Sequence, residues 1–526
     1  MAIVRTHLIH QEYRDSVQLM RAASSVSKEI DGVKIASVMM GTTKNKPLLE
    51  EVGLLTPEAN IADANDIIIS IRADSETSAE AAIGFILDYL SQSVQSSHDS
   101  TLLYRSIRGA LAGLPGANLA VISVPGEYAA RDSHIALMND LNVLLFSDNV
   151  SLEDEIRLKK EAHSKGLLLM GPDCGTAMIK NVGLGFCNIV NPGSIGIIAA
   201  SGTGTQEVMT LCHHLNLGVT HAIGTGSRDV TDAVGGITMI DGLRALERDT
   251  SIKLIILVSK PPEANTISKI VREIRNCSKP VIINFLGKHH GYCDFPNKSV
   301  TVDTLEDAAY TAATFIQSGK LTRTTIQFDD EVKVAKSLRE AKQRLHPDQK
   351  FIRGLFAGGT FTFEAAQIIR DLLLTKDSLY TNIHLDGTRI IKNVKTSQGN
   401  TLIDMGADEF TLGKPHPMID QTERTQRFLK EINDPETAVI LLDFVLGYGS
   451  HPDPVLDMED AFLQWKKNNR FIPIVAHVCG TPLDPQDYNN SLNRLASHGV
   501  ITMPTNAQAA KLAALIASKK DKIEMK

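Results

Sequence analysis

The sequence writes one short turn twice. Ala200–Glu207 reads "ASGTGTQE" and Ala357–Glu364 reads "AGGTFTFE". Ala200, Thr203, Thr205 and Glu207 thus recur at one constant spacing as Ala357, Thr360, Thr362 and Glu364. A recurring pattern of this kind is one visible point of a repeated structural unit, so it constrains the fold more than composition does. In both places an apolar run leads in ("SIGIIAA", "FIRGLFA") and a helical pattern leads out, which predicts a strand, a tight turn and a helix.

The correspondence runs well beyond the turn. "VTHAIGTGS" is answered by "NTLIDMGAD", "KLIILVSKPP" by "TAVILLDFVLGYGSHPDP", "KPVIINFLG" by "IPIVAHVCG", and "TLEDAAYTAATFI" by "TNAQAAKLAALIAS". Short apolar strands alternating with helices predict parallel sheets covered on both faces. The chain therefore reads as α/β, with two tandem flavodoxin-like lobes at residues 191–320 and 350–520 and a charged segment, 321–349, between them. Residues 100–190 hold three more strands, "NLAVISVPG", "LNVLLFSD" and "GLLLMGPDCG". Ser151 and Asp154 open an intervening helix as a capping box. Residues 1–95 read as a small α+β unit: strands "AIVRTHLI", "VKIASVMMG" and "DIIISIRAD", with helices from Glu12 to Ile30 and from Glu76 to Leu90. The polar stretch Ser91–Ser100 reads as a linker.

Composition narrows the function. A chain of 526 residues is too long for one core and predicts about three or four domains. With 43% hydrophobic and 22% charged residues it reads as a soluble globular protein. A net charge of −7 argues against nucleic acid as a partner. No apolar run approaches the ~18 residues that span a bilayer, so no membrane role is expected. Six scattered cysteines without a CxxC pair fit a reducing cytoplasm.

The repeated turn also carries chemistry. A strand that runs through Gly-Thr into a helix leaves the first helical N–H groups unpaired, at the positive end of the helix dipole. That favours an anion such as phosphate. The candidate phosphate-binding residues are Ser201, Gly202, Thr203 and Gly204 in the first turn and Gly358, Gly359 and Thr360 in the second. Gly226 with Arg228, and Gly447 with Gly449, lie at other Gly-rich strand ends. The plainer alternative makes Ser201 or Thr203 a helix cap worth about 1 kcal/mol. Lys414 and His416 in "GKPHPMID" and His451 in "GYGSHPD" are candidate catalytic groups, for anion contact and proton transfer. For the first two the alternative is a proline-fixed turn carrying a solvated lysine. Arg228 could grip a carboxylate or simply pair with Asp229. Cys174 reads as a packing thiol, and His213 and His214 as structural. No cluster has metal-ligand spacing, so no metal is expected.

At this point a family resemblance becomes specific. "LAVISVPGEYAARDS", "GLLLMGPDCGTAMI", "IGIIAASGTGTQE" and "GTGSRDVTDAVGGITMIDGL" resemble the α subunit of succinyl-CoA synthetase. The second lobe resembles the C-terminal lobe of that enzyme's β subunit. Nothing resembles its ATP-grasp domain. With "MMGTTKNKPLLEEVG", "FSDN", "GPDCGT" and "GKPHPMID", the whole layout is similar to the FdrA family. The resemblance implies a Rossmann-like domain of CoA-binding type at 100–190. Three departures accompany it. The loop that carries the synthetase's relay histidine shrinks to "GKHHGYCDFPN", leaving His289 and His290 as candidates. The glutamate supporting that histidine falls at Ser259, and no Gly-rich CoA turn precedes Asn118. The resemblance implies a carbamoyltransferase subunit that handles carbamoyl phosphate in oxalurate breakdown. It also implies a small-molecule substrate, partner subunits of a hetero-oligomer and self-association. The alternatives are an acid–CoA ligase, with CoA or nucleotide as ligand, and a non-catalytic binding subunit.

Overall fold

The computed structural model describes residues 2–518 except 13, 15, 44, 96–103, 288–297, 374–378, 413 and 469. It divides into two units, Met1–Leu103 with Gly406–Glu423, and Tyr104–Met405 with Arg424–Lys526.

In the first unit, β1 (Ile3–Ile9), β2 (Val33–Met40) and β3 (Ile67–Ala73) form an antiparallel sheet with β3 in the middle. The central strand "IIISIRA" is almost wholly buried, as its apolar run requires. The helices Ser16–Glu29 and Glu76–Gln95 pack with this sheet through Leu19, Ala22, Val26, Ala82 and Ile86. The second helix continues to Gln95, past Leu90 where the Ser-rich composition suggested a linker. Serine alone does not stop a helix; Gly or Pro does, and this stretch has neither.

Among the described residues the second unit holds three sheets. β4 (Leu119–Ile122), β5 (Asn142–Leu145) and β6 (Leu169–Met170) are parallel, and Ser151 Oγ accepts the Asp154 N–H (3.1 Å) to cap the helix Leu152–Ser164. The next sheet comprises β7 (Thr176–Ile179), β8 (Val182–Gly185), β9 (Ile195–Ala199), β10 (Val219–Gly224), β11 (Leu254–Ser259), β12 (Val281–Phe285) and β13 (Ser299–Thr301), in the order β13-β12-β11-β9-β10-β7-β8. The last comprises β14 (Phe351–Phe356), β15 (Leu379–Thr381), β16 (Arg389–Ile390), β17 (Asn400–Asp404), β18 (Thr437–Val445), β19 (Ile474–Cys479) and β20 (Ile501–Met503), in the order β16-β15-β17-β14-β18-β19-β20. The charged segment between the lobes forms the helix Glu331–Arg344.

The lobes match over five strands. β13-β12-β11-β9-β10 corresponds to β20-β19-β18-β14-β17, all parallel. β9 and β14 are central and lead into the repeated turns, so the expected equivalence of the two strand–turn–helix units holds. No helix among the described residues is long and apolar enough to cross a membrane.

Candidate functional site

The two turns meet. Ser201 caps the helix Gly202–His214 by accepting the Gly204 N–H on its Oγ (2.9 Å). The same hydroxyl lies 2.6 Å from the Thr360 Oγ1, at the start of the helix Gly359–Leu373 in the other lobe. The close approach is reciprocal and needs glycine on both sides. A Cβ on Gly358 would lie 2.6 Å from the Thr203 Cγ2, and one on Gly204 would lie 3.0 Å from the Thr360 Cγ2. Thr205 and Thr362 repeat each other too, donating to the carbonyls of Ser201 and Gly358. Two helix N-termini with their positive dipole ends thus face one region of the molecule.

The surroundings of the turns differ. A Cβ on Gly202 would meet only the Thr176 hydroxyl, at 3.4 Å. A Cβ on Gly359 would lie 2.8 Å from the Asp404 Oδ2 and 3.9 Å from the Lys260 Nζ. The second helix N-terminus therefore already faces a carboxylate of the chain, whereas the first faces a neutral hydroxyl. Ser201 acts as a cap and as a cross-lobe contact at once.

The glutamate that ends each motif reaches into the opposite lobe. Glu207 Oε1 accepts the N–H of Asn506 (3.2 Å), which opens the second lobe's closing helix, Asn506–Ala517. Glu364 Oε1 accepts the N–H of Leu305 (2.7 Å), which opens the first lobe's closing helix, Leu305–Ser318. Each motif thereby satisfies an orphan helix donor across the interface. The other oxygens differ: Glu207 Oε2 faces His477 Nε2 (2.7 Å), and Glu364 Oε2 accepts from Asn506 Nδ2 (2.7 Å). Burial pushes the Glu364 carboxyl up to about 8, with Glu207 and Glu306 adding to it against hydrogen bonds from Asn506 and Leu305. Burial works against a charged His477, but the Glu207 carboxylate and the hydrogen bonds to Glu207 and Met503 outweigh it, and its pKa is raised.

The other sequence-predicted residues have other settings. Lys414 and His416 lie in the first unit; Lys414 pairs with Glu423 (2.8 Å), and His416 Nδ1 accepts the Met418 N–H (3.2 Å). His451 Nδ1 accepts the Asp453 N–H (3.0 Å). Arg228 pairs with Glu155 (2.7 Å) rather than Asp229, whose carboxylate holds the buried Lys159 (2.7 Å). Gly226 has φ +80° and lets the Pro172 carbonyl approach. Gly447 donates to Gln486 Oε1 (2.9 Å), and a Cβ on Gly449 would lie 2.8 Å from the Phe186 ring. Burial pushes the Cys174 thiol up to about 12. His214 Nε2 meets the Gly480 carbonyl (2.8 Å), and His213 Nδ1 accepts the Asn191 N–H (3.2 Å). His289 and His290 lie outside the described residues. Two surface depressions, of about 560 and 370 Å3, are lined by other residues: His7, His10 and Leu87 in the first unit, and Arg244, Glu247 and Cys277 in the second.

Sequence reasoning did not assign Lys260, Asp404, His477 or any role for the motif glutamates. Glu207 and Glu364 were visible as invariant points of the repeat; their partners, about 300 and 59 residues distant, were not.

The CoA-ligase family matches residues 355–516, the CoA binding domain residues 190–287, and the AllF, heavy metal-associated domain residues 1–102. YahF, an uncharacterized protein of Escherichia coli K12, is 40% identical over 506 residues, covering 95% of this chain and 96% of that one. The succinate–CoA ligase [ADP-forming] subunit alpha of Staphylococcus epidermidis is 29% identical over 178 residues, which is 33% of this chain and 57% of that subunit. Solved structures include the dinucleotide-forming acetyl-coenzyme A synthetase 1 of Ca. Korarchaeum cryptofilum (16% identity, 76% and 82% of the two chains, TM-score 0.29). Another is ATP citrate lyase from Methanothrix soehngenii (12% identity, 79% and 80%, TM-score 0.34). The carbamoyltransferase expected from the FdrA resemblance is corrected here: the two lobes match the CoA binding domain and the CoA-ligase family, and the first also matches a succinate–CoA ligase subunit. A phosphate cradle is common to both chemistries, so the turn alone could not separate them. Residues 1–102 hold no cysteine, the chain's first being Cys174, so the segment matched by the heavy metal-associated domain offers no thiolate ligand.

Proposed function

Because the chain belongs to the FdrA-like, succinyl-CoA synthetase-like family that includes YahF, we propose that it is an acid–CoA ligase-type enzyme subunit. The observation that carries this reading is the meeting of the two helix N-termini at Ser201 and Thr360. The step assigned to it exchanges an acyl phosphate for a thioester. The CoA sulfur bonds to the acyl carbon, the carbon–oxygen bond to phosphate breaks, and phosphate leaves with that electron pair. The thiol proton passes to solvent.

The first turn is the phosphate site. The Gly202 and Thr203 N–H groups precede the helix's own ladder, which begins with Thr205 N–H to the Ser201 carbonyl (3.3 Å). The Thr176 hydroxyl stands beside them. At the second turn Asp404, with Lys260 beside it, faces Gly359 and keeps a second anion away. A separate chain supplies the nucleotide-dependent phosphorylation. The acid substrate binds at the strand ends around these turns, where open α/β sheets hold their ligands.

Gly202→Val is the test. Its φ is not in the left-handed region and its Cβ has room, so the variant folds, but the added methyls fill the phosphate's place. CoA and inorganic phosphate should each raise the melting temperature of the wild-type chain, as any ligand of the folded state does. In Gly202→Val the phosphate shift disappears and the CoA shift stays. Phosphate-dependent thioester turnover by the assembled enzyme drops about a hundredfold, the cost of losing one well-placed oxyanion donor. A wild-type chain that neither CoA nor phosphate stabilises ends the proposal, and a folded Gly202→Val with an unchanged phosphate shift moves the site elsewhere.

A further inference from the structure

Glu207, His477 and Cys479 form a buried triad outside the phosphate site. Their ligand atoms all lie within 4.8 Å of one another, and none is more than 2% exposed. Glu207 comes from the helix Gly202–His214 of the first lobe. His477 and Cys479 come from β19 of the second, two residues apart, so their side chains share one face of the strand.

The hydrogen bonds around His477 set a constraint. Nδ1 lies 3.2 Å from the Met503 carbonyl, which can only accept, so Nδ1 carries the proton. In the neutral ring Nε2 then presents a lone pair to the Glu207 carboxylate, 2.7 Å away. Either a second ring proton, which makes a His477 imidazolium paired with Glu207, or a metal ion in its place can stand between the two acceptors. A histidine whose outer nitrogen donates to a backbone carbonyl is also the usual arrangement behind a metal ion. Glu207 is similarly held by the Asn506 N–H (3.2 Å), and the Thr210 Oγ1 lies 3.7 Å from the Cys479 Sγ.

We propose that Glu207, His477 and Cys479 bind a divalent cation of the Zn2+ type, which staples the two lobes together. The donor set of imidazole, carboxylate and thiolate suits such an ion. Charge is matched as well: one dication balances the carboxylate and the thiolate, both buried. The Cys479 thiol, whose pKa burial and the Glu207 carboxylate raise well above its usual value, would lose its proton on ligation. Tetrahedral ligation places ligand atoms ~3.3 Å apart, so Glu207 and His477 separate slightly to admit the ion. Because the ligands come from both lobes, the ion enters as the lobes dock.

The full-length chain is unfolded in chelator, refolded with or without Zn2+ or Co2+, and desalted. Zn2+-refolded protein should keep about one ion per chain and melt higher than the metal-free form. The Co2+ form should show a near-ultraviolet thiolate charge-transfer band. Cys479→Ser should lose that band, and so should His477→Asn, which places on β19 the residue the first lobe carries on β12. No retained metal and equal melting temperatures in the wild type would overturn the proposal, leaving a proton between Glu207 and His477. A band that persists in folded Cys479→Ser would overturn it too, because the chain's other cysteines would then hold the ion. If Cys479→Ser does not fold, the metal content and melting temperature of the wild type decide alone.

Discussion

The two lobes are copies that have diverged at their buried polar positions. The five shared strands and both turns correspond in order, yet the sheets are completed differently. In the first lobe the antiparallel hairpin β7-β8, which precedes β9 in the chain, extends the sheet beyond β10. In the second the parallel strands β15 and β16, which follow β14, extend it beyond β17. Within the turns Ser201 stands where the second lobe has Gly358, and Gly224 stands where it has Asp404. His477 on β19 stands where β12 has Asn284, and each donates to the neighbouring strand's carbonyl, Met503 or Val302 (3.2 and 3.3 Å). Asn506 stands where the first lobe has Leu305. Backbone geometry has been kept and side-chain charge redistributed. As a result Glu207 faces an ionisable histidine, while Glu364 faces an amide and N–H donors.

The largest break in this comparison should come from Glu207→Gln. It leaves His477 buried opposite an amide, and removing one partner of a buried pair costs about 3–5 kcal/mol. Urea unfolding should show a large loss of stability with both lobes affected, since the glutamate caps the second lobe's closing helix from the first. A loss below about 1 kcal/mol would mean that the pair contributes little beyond an ordinary hydrogen bond.

Gly358→Ser should come next. It gives the second turn the residue of the first, but its Cβ would lie 2.6 Å from the Thr203 Cγ2, where something must shift. Overpacking of this kind costs about 1–3 kcal/mol. Thr203→Ser removes the offending methyl and should restore part of the loss, which a double-mutant cycle measures. Equal effects of Gly358→Ser with and without Thr203→Ser would show that the clash is relieved elsewhere.

Much of this architecture was legible in the sequence. The strand correspondences followed from apolar runs, whose period and length report burial directly. "KPVIINFLG" and "IPIVAHVCG" even align Asn284 with His477 and Leu286 with Cys479. Their meaning was not legible, because it depends on helices from the other lobe. Glu207 and Cys479 meet across 272 positions of chain, and Lys260 reaches Gly359 across 99 (479 − 207 and 359 − 260). Local pattern fixes which face of an element is apolar; it does not say which buried carboxylate finds a histidine. Function divided along the same line. The repeated strand–turn–helix was readable from Gly and Thr, whereas the choice between carbamoyl and CoA chemistry was not.

The smallest effect at neutral pH should come from Glu364→Gln, the counterpart of the first substitution. With its pKa near 8, Glu364 is largely protonated at pH 7, so a neutral amide of the same shape replaces it at a cost of about 1 kcal/mol or less. The pH dependence then separates the two glutamates. The ordinary value for the group is 4.5. Between 4.5 and about 8 the folded chain holds a proton that the unfolded chain has released, so unfolding releases it and rising pH favours unfolding. The group's contribution is full below 4.5, falls through this window, and is flat above it. The slope is at most about 1.4 kcal/mol per pH unit. His477, raised above its ordinary value, acts in the same sense, with stability lost as pH rises through its folded pKa. Glu364→Gln should therefore flatten the fall in stability of the wild type between pH 5 and 8 and leave the part due to His477. Stability measured against urea across that range decides it: parallel curves for wild type and Glu364→Gln would place the titrating group elsewhere, and the contrast between the two motif glutamates would reduce to the histidine alone.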